Sequence, residues 1–168
     1  MILFYLPSAW SDRAAGLLFL LAGVTDSLDG WIARKTGQVS PLGTFLDPVA
    51  DKLMVATALV LIVSRDHDWY LALTAAVIIG REIAISALRE WMAEIGARGK
   101  VAVSALGKVK TVAQIVGIAL LLYRVPLWGV PVYEIGLGLT ALAAVLTLWS
   151  MALYLKAAWP DLNRAQNS

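Results

Sequence analysis

Five long apolar stretches, separated by short polar breaks, restrict the fold of this chain more than any other feature of its sequence. A helix that crosses a bilayer needs about 20 mostly apolar residues, and the stretches approach or exceed that length if a few charges are allowed. They run from about Ala14 to Ala33, Pro41 to Val63, Tyr70 to Leu88, Val109 to Tyr123 and Val132 to Leu155. Because lipid offers the backbone no hydrogen-bond partners, segments of this length are predicted to be helices rather than barrel strands.

The composition indicates lipid as the natural solvent of this surface. Of the 168 residues, 60% are hydrophobic and 15% are charged, whereas about a quarter of the residues in soluble domains are charged. A chain of this length cannot hide so much apolar surface in its own core. We therefore predict an all-α, polytopic membrane helix bundle that forms a single domain over residues 1–168, with membrane lipid as its surroundings. The net charge of +2 is too small to suggest a nucleic-acid partner, and the absence of cysteine excludes disulfides.

The basic residues predict the orientation in the membrane. They gather after the first stretch, around the connection that follows the third, and after the fifth, at Arg34, Lys35, Arg98, Lys100, Lys108, Lys110, Lys156 and Arg164. Lysine and arginine accumulate on the cytoplasmic side of membrane proteins. The sequence thus predicts a multi-pass protein of the cell (inner) membrane whose first, third and fifth helices end at the cytoplasm.

Four aspartates interrupt the first two apolar stretches, at Asp26, Asp29, Asp47 and Asp51. Carboxylates inside membrane segments are costly and by default functional. Each pair is three or four residues apart and therefore shares a helix face, and the short turn between the stretches predicts that the two helices are antiparallel neighbours. Four converging carboxylates need cations, and hard oxygen ligands select Mg²⁺, Mn²⁺ or Ca²⁺. We expect two divalent ions, Mg²⁺ or Mn²⁺, which suit displacement at phosphorus.

The stretch from Asp26 to Asp51 reads DSLDGWIARKTGQVSPLGTFLDPVAD, and it resembles the signature of the CDP-alcohol phosphotransferases at every fixed position and spacing. The resemblance implies a bundle of six membrane helices with its site open to the cytoplasm, and a homodimer. It also implies that the four aspartates hold two divalent metals and that Asp51 serves as the general base.

The same resemblance assigns a nucleotide site to the small residues beside the aspartates. It implies that Gly30, Ala33 and Gly43 make room for the cytidine nucleotide and that Arg34 lies near it or seals the site. Two alternatives stay open, since small residues are common at membrane helix contacts and arginines anchor cytoplasmic helix ends. Gly30 and Gly43 would then serve packing alone, and Arg34 would mark topology.

A second stretch, from Arg81 to Gln114, reads REIAISALREWMAEIGARGKVAVSALGKVKTVAQ and is similar to the bacterial members of the family that use glycerol 3-phosphate. The likeness continues through LTLWSM, residues 146–151. The cations expected to bind the acceptor phosphate are Arg81, Arg89, Lys108 and Lys110. Arginine and lysine beside the metal site would suit a dianionic phosphate. The alternative is a structural ion-pair network in which Glu82 pairs with Arg89, seven residues away.

The resemblance implies an enzyme of phospholipid biosynthesis that transfers a phosphatidyl group from CDP-diacylglycerol to glycerol 3-phosphate. This chain has room for five helices rather than six, and residues 1–6 resemble the exit of a preceding helix. The alternatives are another acceptor (inositol phosphate, serine or phosphatidylglycerol), a cation channel or transporter lined by the aspartates, or an inactive fragment. The spacing argues against a transporter, because a conduction path has no need of the residues between the aspartates.

Overall fold

Five α-helices make up nearly all of the described chain in the computed structural model, which describes residue 4 and residues 8–36, 41–94 and 105–165. They are α1 (Ala9–Thr36), α2 (Pro41–Asp66), α3 (Trp69–Glu94), α4 (Ala105–Tyr123) and α5 (Val132–Ala165). Within the described ranges there is no strand beyond an isolated bridge between Leu127 and Val130. The predicted all-α fold is confirmed, and the helices lie where the apolar stretches predicted them.

Local chemistry explains where the helices begin and turn. The Ser8 side-chain oxygen accepts a hydrogen bond from the Ser11 backbone N–H at 3.2 Å, which caps the start of α1. Pro41 opens α2, where its missing N–H has no cost. In the turn after α2, His67 adopts the left-handed conformation with φ of 55°, so the chain reverses within two residues.

Large apolar side chains cover the outside of the bundle. Each helix exposes at least one of them on its outer surface: Leu17, Val60, Ile83, Val112 and Trp149. Exposed apolar surface of this extent marks contact with a partner or with lipid. The segments Trp69–Glu94 and Val132–Lys156 are long and apolar enough to cross a membrane, and Val109–Tyr123 is a shorter apolar helix. The chain is therefore a membrane-associated helical protein.

Helix α4 lies at the centre of the packing and contacts α1, α2 and α5. Two glycines allow the closest of these approaches. A Cβ on Gly16 of α1 would lie 2.7 Å from the Ala119 carbonyl oxygen, and one on Gly117 would lie 2.6 Å from Thr140 Oγ1 on α5. Small residues let membrane helices approach closely enough for backbone contact, so the position of α4 is tightly fixed.

Ion pairs join the helices at one end of the bundle, called here the far end, where α1 begins, α2 and α4 end, and α5 begins. Arg65 donates two hydrogen bonds to the Asp12 carboxylate, at 2.6 and 3.1 Å. Asp66, with 4% of its side chain exposed, accepts hydrogen bonds from Arg124 and from the Tyr133 hydroxyl. Arg65 and Asp66 fall in one of the short polar breaks of the sequence, yet their side chains join α2 to α1, to α5 and to Arg124 just after α4.

The two helices that carry the aspartates were predicted to be antiparallel neighbours, and in the described ranges they meet through the Asp12–Arg65 ion pair rather than through close backbone packing. Among the described residues, α1 packs mainly on α4, and α2 packs on α3 and α4. Because both helices rest on α4, a cleft separates them along part of their length. A cavity of about 230 Å³ opens in this cleft between Asp26 of α1 and Asp51 of α2.

Candidate active site

The cavity in the α1–α2 cleft brings one aspartate from each helix together. The carboxyl groups of Asp26 and Asp51 lie within hydrogen-bonding range of each other, and Asp47 and Glu82 are close enough to act electrostatically on Asp51. Among the described side chains, no lysine or arginine forms an ion pair with Asp26 or Asp51. The cavity lining carries three carboxylates, those of Asp26, Asp51 and Glu82, and one lysine, Lys52.

The other two motif aspartates lie at the surface of the same helices. Asp29 and Asp47, three and four residues from Asp26 and Asp51, are both exposed, as is Asp51 itself. As the described side chains stand, no three acidic or histidine groups are close enough together to hold a metal ion. The donor chemistry nonetheless fits a hard divalent cation, because opposed carboxylate oxygens without a cationic partner are the ligands that such ions take.

Behind the aspartates, two buried cations share one carboxylate. Glu82 Oε1 accepts hydrogen bonds from Arg81 Nη1 and Lys110 Nζ, both at 2.9 Å. Arg81 and Lys110 are only 8% and 4% exposed. Arg81 also donates to the Ser150 hydroxyl at 2.8 Å, while its buried Nε has no hydrogen-bond partner in the described structure. The three charged groups sum to one positive charge beside a cavity that Glu82 lines.

Two of the four cations predicted to bind the acceptor phosphate lie in this cluster. Arg81 of α3 and Lys110 of α4 come together at the Glu82 carboxylate. The alternative network had paired Glu82 with Arg89 instead. Arg89 is exposed, and its guanidinium lies over the Tyr154 ring, 5.7 Å from the ring centre. The Lys108 side chain lies outside the described residues.

The predicted nucleotide-binding residues are described only in part. Gly30 on α1 and Gly43 on α2 are half-buried, on the same helices as the aspartates. The side chains of Ala33 and Arg34 lie outside the described residues, as do Arg98 and Lys100. Their roles stay predictions.

The structure adds residues to the site that the sequence did not single out. Thr111 and Gln114 line the cavity with the two aspartates and Glu82, and Ser150 holds Arg81 in place. The spacing of Lys110 and Gln114, four residues apart on one helix, was the available signal, because such residues share a helix face. Their meeting with Asp26 and Asp51 depends on how α4 packs in the bundle, which helical periodicity does not give.

Comparison with known proteins identifies the family of the chain. Residues 1–154 match the family described as CDP-alcohol phosphatidyltransferase. The chain belongs to this family, a class of transferase enzymes. Within it, the chain is 55% identical over 162 residues to a protein of Escherichia coli (strain K12) named CDP-diacylglycerol–glycerol-3-phosphate 3-phosphatidyltransferase, an alignment covering 96% of this chain and 87% of the relative. Proteins of the same name from Shigella flexneri and Shigella boydii serotype 4 match with the same identity and coverage.

Proposed function

We propose that this protein transfers the phosphatidyl group of CDP-diacylglycerol to sn-glycerol 3-phosphate, releasing CMP and forming phosphatidylglycerophosphate. The relatives that match nearly the whole chain carry a name that states this donor and this acceptor. One structural observation carries the proposal. Asp26 and Asp51 line one small cavity together with Glu82, and Glu82 in turn holds the buried Arg81 and Lys110.

Different residues activate the attacking hydroxyl and bind the substrates. Asp51 accepts the proton of the acceptor's 1-hydroxyl, and the resulting alkoxide attacks the phosphorus that bears diacylglycerol. The bond from that phosphorus to the CMP oxygen breaks, and CMP leaves with the electron pair. Arg81 and Lys110 hold the acceptor phosphate, since charge-assisted hydrogen bonds to phosphate are strong and directional. Gly30, Ala33, Gly43 and Arg34 form the nucleotide side of the site, and Arg89 and Lys108 add positive charge nearby.

Divalent cations complete the proposed site, with Asp26, Asp29, Asp47 and Asp51 as their ligands. When bound, two such ions would neutralise the pyrophosphate and stabilise the leaving oxygen. The support is the carboxylate pair of the cleft, which forms no ion pair with a described lysine or arginine. Mg²⁺ or Mn²⁺ is proposed, because the ligands are all carboxylate oxygens.

We also propose that the cleft faces the cytoplasm of the cell (inner) membrane. The support is the placement of basic residues: Lys35 lies at the end of α1, Lys110 near the start of α4 and Lys156 late in α5. All three lie towards the end of the bundle opposite the far end, as expected if it is cytoplasmic. Homodimerisation stays a prediction from the resemblance, which a mass measurement in detergent would check.

The proposal is tested by following CMP release in mixed micelles that contain CDP-diacylglycerol and Mg²⁺. Release should require sn-glycerol 3-phosphate and should not occur with serine, inositol phosphate or phosphatidylglycerol. An enzyme that releases CMP with one of these alcohols but not with glycerol 3-phosphate would have a different acceptor. No release with any of them would favour an inactive chain or a transporter.

A matched pair of variants tests the acceptor-binding role. Lys110→Met should raise the KM for glycerol 3-phosphate by about 10- to 150-fold, the range for a charge-assisted hydrogen bond, and should change the KM for CDP-diacylglycerol far less. Lys156→Met removes an exposed lysine and should change neither value. Equal weakening toward both substrates in Lys110→Met would mean that the cluster holds the fold instead.

A further inference from the structure

The side chain of Gln114 is buried in the site without a partner for its carbonyl oxygen. Only 5% of the residue is exposed, and Oε1 has no hydrogen-bond partner in the described structure. A buried amide oxygen left unpaired is costly, so native structures seldom keep one without a reason. Gln114 also lines the cavity that contains Asp26 and Asp51. An amide in this position is ready to bind a polar group that enters the cavity.

The surroundings restrict what that group can be. The other polar residues at the cavity are carboxylates, a lysine and a threonine, at Asp26, Asp51, Glu82, Lys52 and Thr111. Gln114 is thus the one neutral amide among the described lining residues. A charged group would be served better by the aspartates or by Lys110, whereas a neutral hydroxyl is matched by an amide. A hydroxyl both donates and accepts, so it can pair with either end of the amide group.

The position of Gln114 along α4 indicates which hydroxyl it meets. Gln114 follows Lys110 by one helical turn and therefore lies on the same face. Lys110 is assigned the acceptor phosphate, and Asp51, across the same cavity, is assigned the attacking hydroxyl. In glycerol 3-phosphate the carbon between these two groups carries the 2-hydroxyl. We infer that the Gln114 amide hydrogen-bonds this 2-hydroxyl and thereby selects a phosphate acceptor with two neighbouring hydroxyls. This inference rests on the proposed function.

The test compares sn-glycerol 3-phosphate with 3-hydroxypropyl phosphate, which keeps the attacking hydroxyl and the phosphate but lacks the 2-hydroxyl. In the wild-type enzyme, kcat/KM should be about 3- to 10-fold lower for the analogue, as expected for the loss of one neutral hydrogen bond. Gln114→Met keeps the length of the side chain and removes its amide. It should lower kcat/KM for glycerol 3-phosphate by a similar factor and leave the value for the analogue within about twofold of wild type.

The outcomes distinguish a failure of the Gln114 inference from a failure of the proposed function. If the wild-type enzyme turns over both acceptors equally well, the inference about Gln114 is wrong while the proposed function stands. Equal losses for both acceptors in Gln114→Met would make Gln114 a packing residue and would also overturn the inference. If the wild-type enzyme does not use glycerol 3-phosphate, the proposed function fails and the inference fails with it. The wild-type comparison needs no variant, so it can overturn the inference even if Gln114→Met does not fold.

Discussion

Replacing Gly117 by alanine should loosen the contact between α4 and α5. The added Cβ would lie 2.6 Å from Thr140 Oγ1 and 2.9 Å from the Thr140 backbone nitrogen. Thr140 is fully buried, and its hydroxyl is already committed to the Gly136 carbonyl oxygen at 2.7 Å. Rotating the side chain therefore cannot relieve the clash with the backbone nitrogen, and the two helices must move apart. Overpacking of this kind costs about 1–3 kcal/mol.

Thermal unfolding in detergent micelles measures this cost. A loss of about 1–3 kcal/mol should lower the Tm by roughly 2–12 °C, given about 2–4 °C per kcal/mol for a chain of this size. Gly138→Ala is the matched control, because a Cβ there meets no atom within 4 Å. The control should leave the Tm unchanged or raise it slightly, since alanine favours a helix by about 0.5–1 kcal/mol over glycine. If Gly117→Ala unfolds at the same temperature as Gly138→Ala, then α4 is not held by backbone contact.

Three further outcomes are expected. Asp51→Asn should keep the protein in the membrane and reduce CMP release to less than about a tenth of wild type, a barrier increase above about 1.4 kcal/mol; more residual activity would contradict its role as the base. Excess chelator should abolish activity, and Mg²⁺ or Mn²⁺ should restore it while Ca²⁺ restores little, because Ca²⁺ coordinates more loosely; full turnover in chelator would refute the metal proposal. Asp66→Ala should lower the free energy of unfolding by about 1.5–3 kcal/mol, because Arg124 and Tyr133 lose their shared acceptor. The KM values for both substrates should stay near wild type. A selective rise in one KM would show that the far end affects the active site.

The sequence was sufficient to predict the helices and the aspartates, because both depend on local patterns. An apolar stretch in lipid must close its own hydrogen bonds, so its length predicts a helix. Likewise, Asp26 and Asp51 are conspicuous because carboxylates are rare in such stretches. The pairing of these two residues across the cleft agrees with the prediction that the two helices contribute to one site.

Partners that come from distant helices could not be predicted in the same way. The alternative to phosphate binding paired Glu82 with Arg89 along its own helix, whereas Glu82 accepts a hydrogen bond from Lys110 of α4. Which cation reaches Glu82 depends on how α4 is rotated in the bundle, and the close contact at Gly117 fixes that rotation. Asp66 lies in a polar break of the sequence, which does not reveal that only 4% of its side chain is exposed.

The ion pairs of the far end imply that the free energy of local unfolding is higher at that end of the bundle than beside the cleft. Helix ends usually open first, but here Arg65 fastens α2 to Asp12 of α1, and Asp66 fastens it to α4 and α5. In the half of the molecule that contains the cleft, α1 and α2 have no comparable link among the described residues. Amide hydrogens of α1 and α2 near the far end should therefore exchange with solvent deuterium more slowly than those beside Asp26 and Asp51. The helices are then free to separate at one end while remaining joined at the other, which suits the bulky lipid donor of the proposed function.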